Sequence, residues 1–136
     1  MVAYPRECCG VVLSIGGRDE VRSITNIQDR LHADDPIQHP RDATIAYFME
    51  PKELYAVLRE SEELGRPIRV FYHSHPDHGA YFSAEDEARA MAWDEPAYPG
   101  AHYVVLSVIG GAVVERLAVR WDAEQARFVP IELEIG

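Results

Sequence analysis

An α/β (α+β) fold, with a mixed, mostly antiparallel central sheet flanked by two main helices, is predicted by three observations. Gly16-Gly17 and Gly110-Gly111 each separate two strand-like runs, Pro51 and Gly65 bracket a helical stripe, and Ser83 opens a capped helix. Residues 9–15 and 20–25 form the first hairpin, since a glycine pair supplies the positive φ angles of a tight turn. Residues 26–42 are polar, carry Pro36 and Pro40, and show neither strand nor helix periodicity, which predicts a long surface loop of the kind that often serves function. A strand pattern returns over residues 43–49. Leu54, Val57, Leu58, Ser61 and Leu64 share one helical face, with Pro51 at the first helical position and Gly65 as the stop, predicting a helix over Pro51–Leu64. Residues 103–109 and 112–121 make a second hairpin, and residues 128–135 add a last strand.

A chain of 136 residues with 47% apolar content is expected to be one domain, residues 1–136. No run approaches the roughly 20 apolar residues of a membrane span, and the start lacks the apolar core of a secretion signal, so the expected location is cytoplasmic. Thirteen basic against 23 acidic residues leave a net charge of −10, which argues against nucleic acid and anionic membranes as partners. Cys8 and Cys9 are adjacent, and neighbours on a strand point to opposite faces, so a mutual disulfide would be strained. A reducing compartment is the simpler expectation.

The chemistry-bearing stretch is His73-Ser74-His75-Pro76, then six residues, then Ser83, then two residues, then Asp86. Histidines at i and i+2 on an extended segment project from the same side, so both imidazoles can reach one ion. The apolar run 68–72 leads into them as a buried strand, with Phe71 sharing the parity of His73 and His75. Pro76 lacks a backbone donor and Gly79 follows, which ends the strand and opens a loop over residues 76–82. Ser83 then reads as an N-cap with Asp86 in the first turn, where the helix N-terminus favours an ionised carboxylate. Two neutral imidazoles and one carboxylate leave a fourth tetrahedral position open, the pattern of catalytic rather than structural zinc. Such donors also suit iron or manganese. Ser-x-x-Asp alone is an ordinary cap, and His-x-His alone is common on surfaces; the combination at this spacing is what points to a metal.

The same residues resemble the signature of the JAMM metallopeptidases, whose fold is the MPN domain. Pro5-Arg6-Glu7-Cys8-Cys9-Gly10-Val11-Val12-Leu13 completes the likeness, which runs from Glu7 nearly to the C-terminus. Sequence position alone does not single out Glu7, 66 residues before His73, from fourteen glutamates. The resemblance implies that Glu7 is the catalytic acid/base, hydrogen-bonded to a water on Zn2+ held by His73, His75 and Asp86. It further implies that Ser83 donates a hydrogen bond to the developing oxyanion, so that cap and donor roles draw on one hydroxyl. The implied reaction is hydrolysis of a peptide or isopeptide bond with no acyl-enzyme, Ser74 facing away from the metal and Cys9 packing in the core. Two departures stand out: only six residues precede Glu7, where members usually have a helix, and Phe82 replaces a common proline.

Only residues 94–101 link the helix after Asp86 to the next strand, leaving no room for the insertions of polyubiquitin-cleaving members. The chain is instead similar to short stand-alone prokaryotic members. That likeness implies a ubiquitin-like sulfur-carrier protein as partner, cleaved after its C-terminal Gly-Gly tail, the tail lying extended against a sheet edge. The competing class is a non-catalytic MPN scaffold, a protein-interaction module, whose members typically lose metal ligands. A zinc deaminase would need Cys-x-x-Cys with His-x-Glu, and neither is present. His32, His39, His78 and His102 are expected to be solvent-facing or structural, with His39 and His78 the candidates to line a substrate channel.

Overall fold

The computed structural model describes residues 7–43, 47–77, 79–92, 95–98 and 100–131. Both glycine pairs turn the chain as expected. Strands β1 (Cys9–Ile15) and β2 (Arg18–Ile24) pair antiparallel about Gly16 and Gly17, at φ 58° and 81°. Gly110 and Gly111, at φ 58° and 85°, join β6 (His102–Ile109) to β7 (Ala112–Asp122) in the same way. A turn with positive φ at both central residues matches strand twist, and glycine meets that demand without a Cβ clash.

Between the hairpins run α1 (Gln28–Asp34), α2 (Pro51–Leu64), β3 (Ile68–Pro76), α3 (Ala84–Ala90) and the short strands β4 (Met91–Ala92) and β5 (Glu95–Pro96); β8 (Arg127–Ile131) follows β7. The main sheet has six strands in the order β2-β1-β3-β6-β7-β8, and β4-β5 form a separate two-stranded ribbon. Only β3 and β6 are parallel neighbours in the main sheet; the others are antiparallel. Parallel pairing needs a long crossover. That crossover carries α3 and the ribbon across the sheet beside the end of β3.

Two expectations change. The polar stretch 26–42 is not all loop, because it contains α1, whose seven residues are too few to display a readable period. Side chains hold it in place: Gln28, 3% exposed, donates to the Arg41 carbonyl, and Asp29 accepts from the Ala43 amide. The strand expected over residues 43–49 does not form among the described residues, and residues 44–46 lie outside them. Met49 makes an isolated bridge to Asn26, and the Phe48 amide bonds the Asn26 side chain. A side-chain anchor there replaces a strand ladder. Of the expected last strand, the described part is β8, and residues 132–135 lie outside.

Helix α2 begins at Pro51 and ends at Gly65, in the left-handed conformation at φ 61°, as its flanking residues predict. Val57 is its buried contact with the core, while Leu64 at the end of the stripe is exposed. Arg22 on β2 and Arg66 both bond Glu60, joining the helix to the sheet and holding the Glu60 carboxyl below the usual carboxylate range. The core between helices and sheet includes Val11, Leu13, Phe71, Tyr103 and Phe128. Phe82 enters it, its ring 5.8 Å from Tyr103 and 5.2 Å from Phe128. The residue that stands in place of proline thus anchors the turn before Ser83 by packing.

Gly10 is needed for space rather than for φ. It pairs with Tyr72 across β1 and β3, and a Cβ there would collide with the Tyr72 hydroxyl and lie 2.7 Å from the Arg22 carbonyl. Gly10→Ala is expected to destabilise the chain by about 1–3 kcal/mol, the usual cost of overpacking. Urea unfolding checks this, and an unchanged midpoint would remove the packing constraint assigned to Gly10.

Candidate metal centre

Strand β3 is third in the sheet and buried along its last four residues, His73 to Pro76. His73 and His75, at i and i+2, point to one face, and α3 brings Asp86 against them. His73 Nε2 lies 3.2 Å from His75 Nε2 and 3.2 Å from Asp86 Oδ2, and His75 Nε2 lies 3.6 Å from the same oxygen. All three residues are buried, at 3%, 6% and 6% exposure. Tetrahedral zinc with bonds of about 2.0–2.1 Å requires ligand atoms about 3.3–3.4 Å apart, so this triangle fits such an ion. Three buried groups presenting lone pairs to one point also suit a cation, since without one they repel or must share a proton.

Each ligand candidate is held by its surroundings. The Gly79 carbonyl can only accept, so His75 Nδ1 donates to it at 3.1 Å, which leaves Nε2 of the neutral ring free for a metal. Tyr47 stacks on His73 with ring centroids 4.4 Å apart, and the exposed Tyr81 lies 4.7 Å from His75. Asp86 is fixed by the helix cap expected from the sequence. Ser83 Oγ accepts from the Asp86 amide at 3.0 Å, and Asp86 Oδ2 accepts from the Ser83 amide at 3.0 Å.

That capping box resolves the competition expected for the Ser83 hydroxyl. Capping uses a lone pair of Oγ, whereas donation to an oxyanion uses its proton, and a hydroxyl has both.

Burial disfavours charge on both His75 and Asp86, but their mutual attraction wins. Burial lowers the His75 pKa, while Asp86, the Gly79 carbonyl and Glu7 raise it, and the net shift is upward. Burial raises the Asp86 pKa, while hydrogen bonds from His73 and His75 hold its carboxyl well below the usual range.

Glu7 reaches the cluster through strand register. Cys9 pairs with His73, and Ser74 clamps the next position: its amide donates to the Cys8 carbonyl at 2.9 Å and its Oγ accepts from the Cys8 amide at 2.8 Å. Continued one step, antiparallel order sets residue 7 opposite His75. The Glu7 amide donates to the Ala43 carbonyl, and its own carbonyl accepts from Asn26 Nδ2 at 2.9 Å. Glu7 is 5% exposed, and one carboxylate oxygen and a nitrogen of each histidine lie within 4.8 Å of one another. The five residues singled out in the sequence fall at one end of β3, with Ser83 joined to the cluster through Asp86. Asn26, Tyr47, the Gly79 carbonyl and the clamping role of Ser74 went unnoticed there, because they act through backbone bonds and ring contacts that leave no spacing pattern.

Among the other histidines, His32 Nδ1 bonds the His39 carbonyl at 2.8 Å, a contact local to the α1 region, and His102 begins β6 half-buried. His78 lies outside the described residues. Cys9 is 2% exposed with Sγ 3.4 Å from the Ile24 carbonyl, a core position, and neither Cys8 nor Cys9 forms a disulfide.

A family model described as prokaryotic homologs of the JAB domain matches residues 2–124. The chain belongs to this family. The chain is 28% identical over 131 residues to a Haloferax volcanii protein named desampylase, covering 96% of this chain and 80% of that one. The fold is also that of a solution structure from Desulfitobacterium hafniense, with a TM-score of 0.64 at 20% identity over 96% of this chain and 79% of the other. A solution structure from Salinibacter ruber gives a TM-score of 0.55 at 23% identity, covering 97% and 79%. At such identities the structural likeness shows the fold alone. No helix among the described residues is long and apolar enough to cross a membrane.

Proposed function

We propose that this JAB-domain chain is a zinc-dependent peptidase or isopeptidase that cleaves an amide bond after the C-terminal Gly-Gly of a small ubiquitin-like sulfur-carrier protein. The observation that carries this is the buried triangle of His73 Nε2, His75 Nε2 and Asp86 Oδ2, 3.2 to 3.6 Å on its edges, with Glu7 buried beside both histidines. The relatedness to a desampylase supports a hydrolase acting on a ubiquitin-like modifier. JAB-domain families include inactive members, so the intact donor set, rather than membership, separates this reading from a scaffold.

His73, His75 and Asp86 would hold the ion. Bound zinc supplies a Lewis acid that brings the pKa of water from about 15.7 toward about 7. The Glu7 carboxylate accepts a proton from the attacking water and later delivers it to the departing amine, acting as general base and then general acid. Ser83 Oγ donates its proton in a hydrogen bond to the oxygen that becomes an oxyanion, while its lone pair keeps the helix cap. Burial of Glu7, His73, His75 and Asp86 limits competing water and strengthens these interactions.

The main sheet does not supply the edge expected for docking beside the site. The site strand β3 is interior, and the edges of the main sheet are β2 and β8, two and three strands away. At about 4.8 Å per strand those edges lie roughly 10–14 Å from the site. A tail lying along a sheet edge at the site would therefore use an edge other than those of the main sheet, and glycines suit close passage because they carry no side chain.

The test measures zinc content together with cleavage of a sulfur-carrier protein extended beyond Gly-Gly, beside the same substrate ending Ala-Ala. Zinc near one equivalent and cleavage confined to Gly-Gly is expected. Equal rates on both tails would count against the specificity, bound zinc without cleavage would favour the scaffold, and absence of zinc binding would overturn the reading.

A further inference from the structure

The peptide between Gly79 and Ala80 is bonded on both sides. Its carbonyl accepts from His75 Nδ1 at 3.1 Å, and its amide donates to Glu115 Oε1 at 3.0 Å. Glu115 arrives by register. His75 pairs with Ser107 across β3 and β6, and Ser107 pairs with Glu115 across β6 and β7. Directly paired residues share a face, so the three form one row across neighbouring strands. Ser107 is small and 1% exposed, so Glu115 meets the loop above it rather than a bulky neighbour. The start of that loop is tied to the same hairpin: the Asp77 amide donates to the Val108 carbonyl at 2.6 Å, and Asp77 Oδ1 accepts from the Gly110 amide at 3.1 Å.

Hydrogen bonds in series polarise one another, so a carboxylate on the Ala80 amide makes the Gly79 carbonyl a stronger acceptor. A stronger acceptor pins the Nδ1 proton of His75 and keeps Nε2 aimed at His73 and Asp86. Ligating histidines commonly donate straight to a carboxylate, which orients them and raises their basicity. Here a peptide group stands between the two.

We propose that Glu115 is a positioning residue for the metal centre, acting through the Gly79–Ala80 peptide to fix the tautomer and orientation of His75. Its effect on zinc rests on the reading above; its effect on His75 stands on the geometry alone. The test compares the full wild-type chain with Glu115→Gln, which keeps an acceptor but loses the charge, and Glu115→Ala, which loses both. Zinc Kd by chelator competition is expected to weaken by up to about 10-fold in the alanine variant, less than the loss of a direct outer partner would cause, with glutamine between. In the metal-free chain, at a pH above the raised pKa of His75 so that its ring is neutral, the NMR signal of the His75 Nδ1 proton is expected to move upfield in the same order. Glu115 is exposed, so the metal-free thermal midpoint should hold. An unmoved Nδ1 signal in the alanine variant, or a glutamine variant matching wild type in both Kd and NMR, would overturn the proposal. A wild-type chain that takes no zinc would sink the zinc reading instead, and the metal-free signals would still decide the role of Glu115.

Discussion

Glu7→Gln is expected to lower kcat by about 10²–10⁴-fold while zinc stays near one equivalent, because glutamine fills the same space but cannot accept and return a proton. The site predicts this separation. Glu7 sits 5% exposed beside His73 and His75, while Asp86 completes the triangle without it. Its backbone is anchored independently of its carboxylate, by Ala43 and Asn26, so the variant should keep the strand end in place. Metal analysis beside steady-state rates on a Gly-Gly-extended substrate provides the check. If zinc is lost together with activity, Glu7 is a ligand rather than a proton carrier; if kcat is unchanged, the proton passes elsewhere.

Asp86 joins two roles that two substitutions can part. Asp86→Asn keeps an oxygen able to accept from the Ser83 amide but is a poor anionic ligand, whereas Asp86→Ala loses both. Both are expected to weaken zinc binding by more than the about 100-fold that follows from losing an outer partner, and to abolish turnover. The alanine variant alone should also lose the half of the capping box that Asp86 supplies, its bond from the Ser83 amide, about 0.5–1.5 kcal/mol for one hydrogen bond. Equal unfolding midpoints for the two variants would show that the bond from the Ser83 amide to residue 86 adds nothing at α3.

The metal-free protein adds a pH signature to that comparison. Asp86 has its folded pKa depressed, so its stabilisation is full above the ordinary carboxylate pKa of about 3.9 and fades as pH falls below it. His75 has its folded pKa raised, so its share is full below the ordinary imidazole pKa of about 6.5 and fades as pH rises past the folded value. Wild type should therefore exceed Asp86→Asn most between about pH 4 and 6.5. A gap that is flat with pH would show that the ion pair does not form without metal.

Residue types and spacings by themselves determined the hairpins, α2 and three corners of the site. Glycine pairs force turns, a proline and a glycine bound a helix, and His-x-His with a capped aspartate are local patterns whose geometry follows from strand and helix periods. Glu7 was legible only through likeness to a family, since 66 residues separate it from His73 and nothing local marks it. The helix α1 escaped because it is short and polar, held by Asn26, Gln28 and Asp29 rather than by an apolar stripe. Tertiary structure alone decided what depends on strand order and register: Ser74 clamping the segment before Cys9, Tyr47 on His73, and Glu115 in one row with His75. Contacts between strands far apart in the chain are set by which edges pair and in what register, and a sequence read along its length carries no direct trace of either.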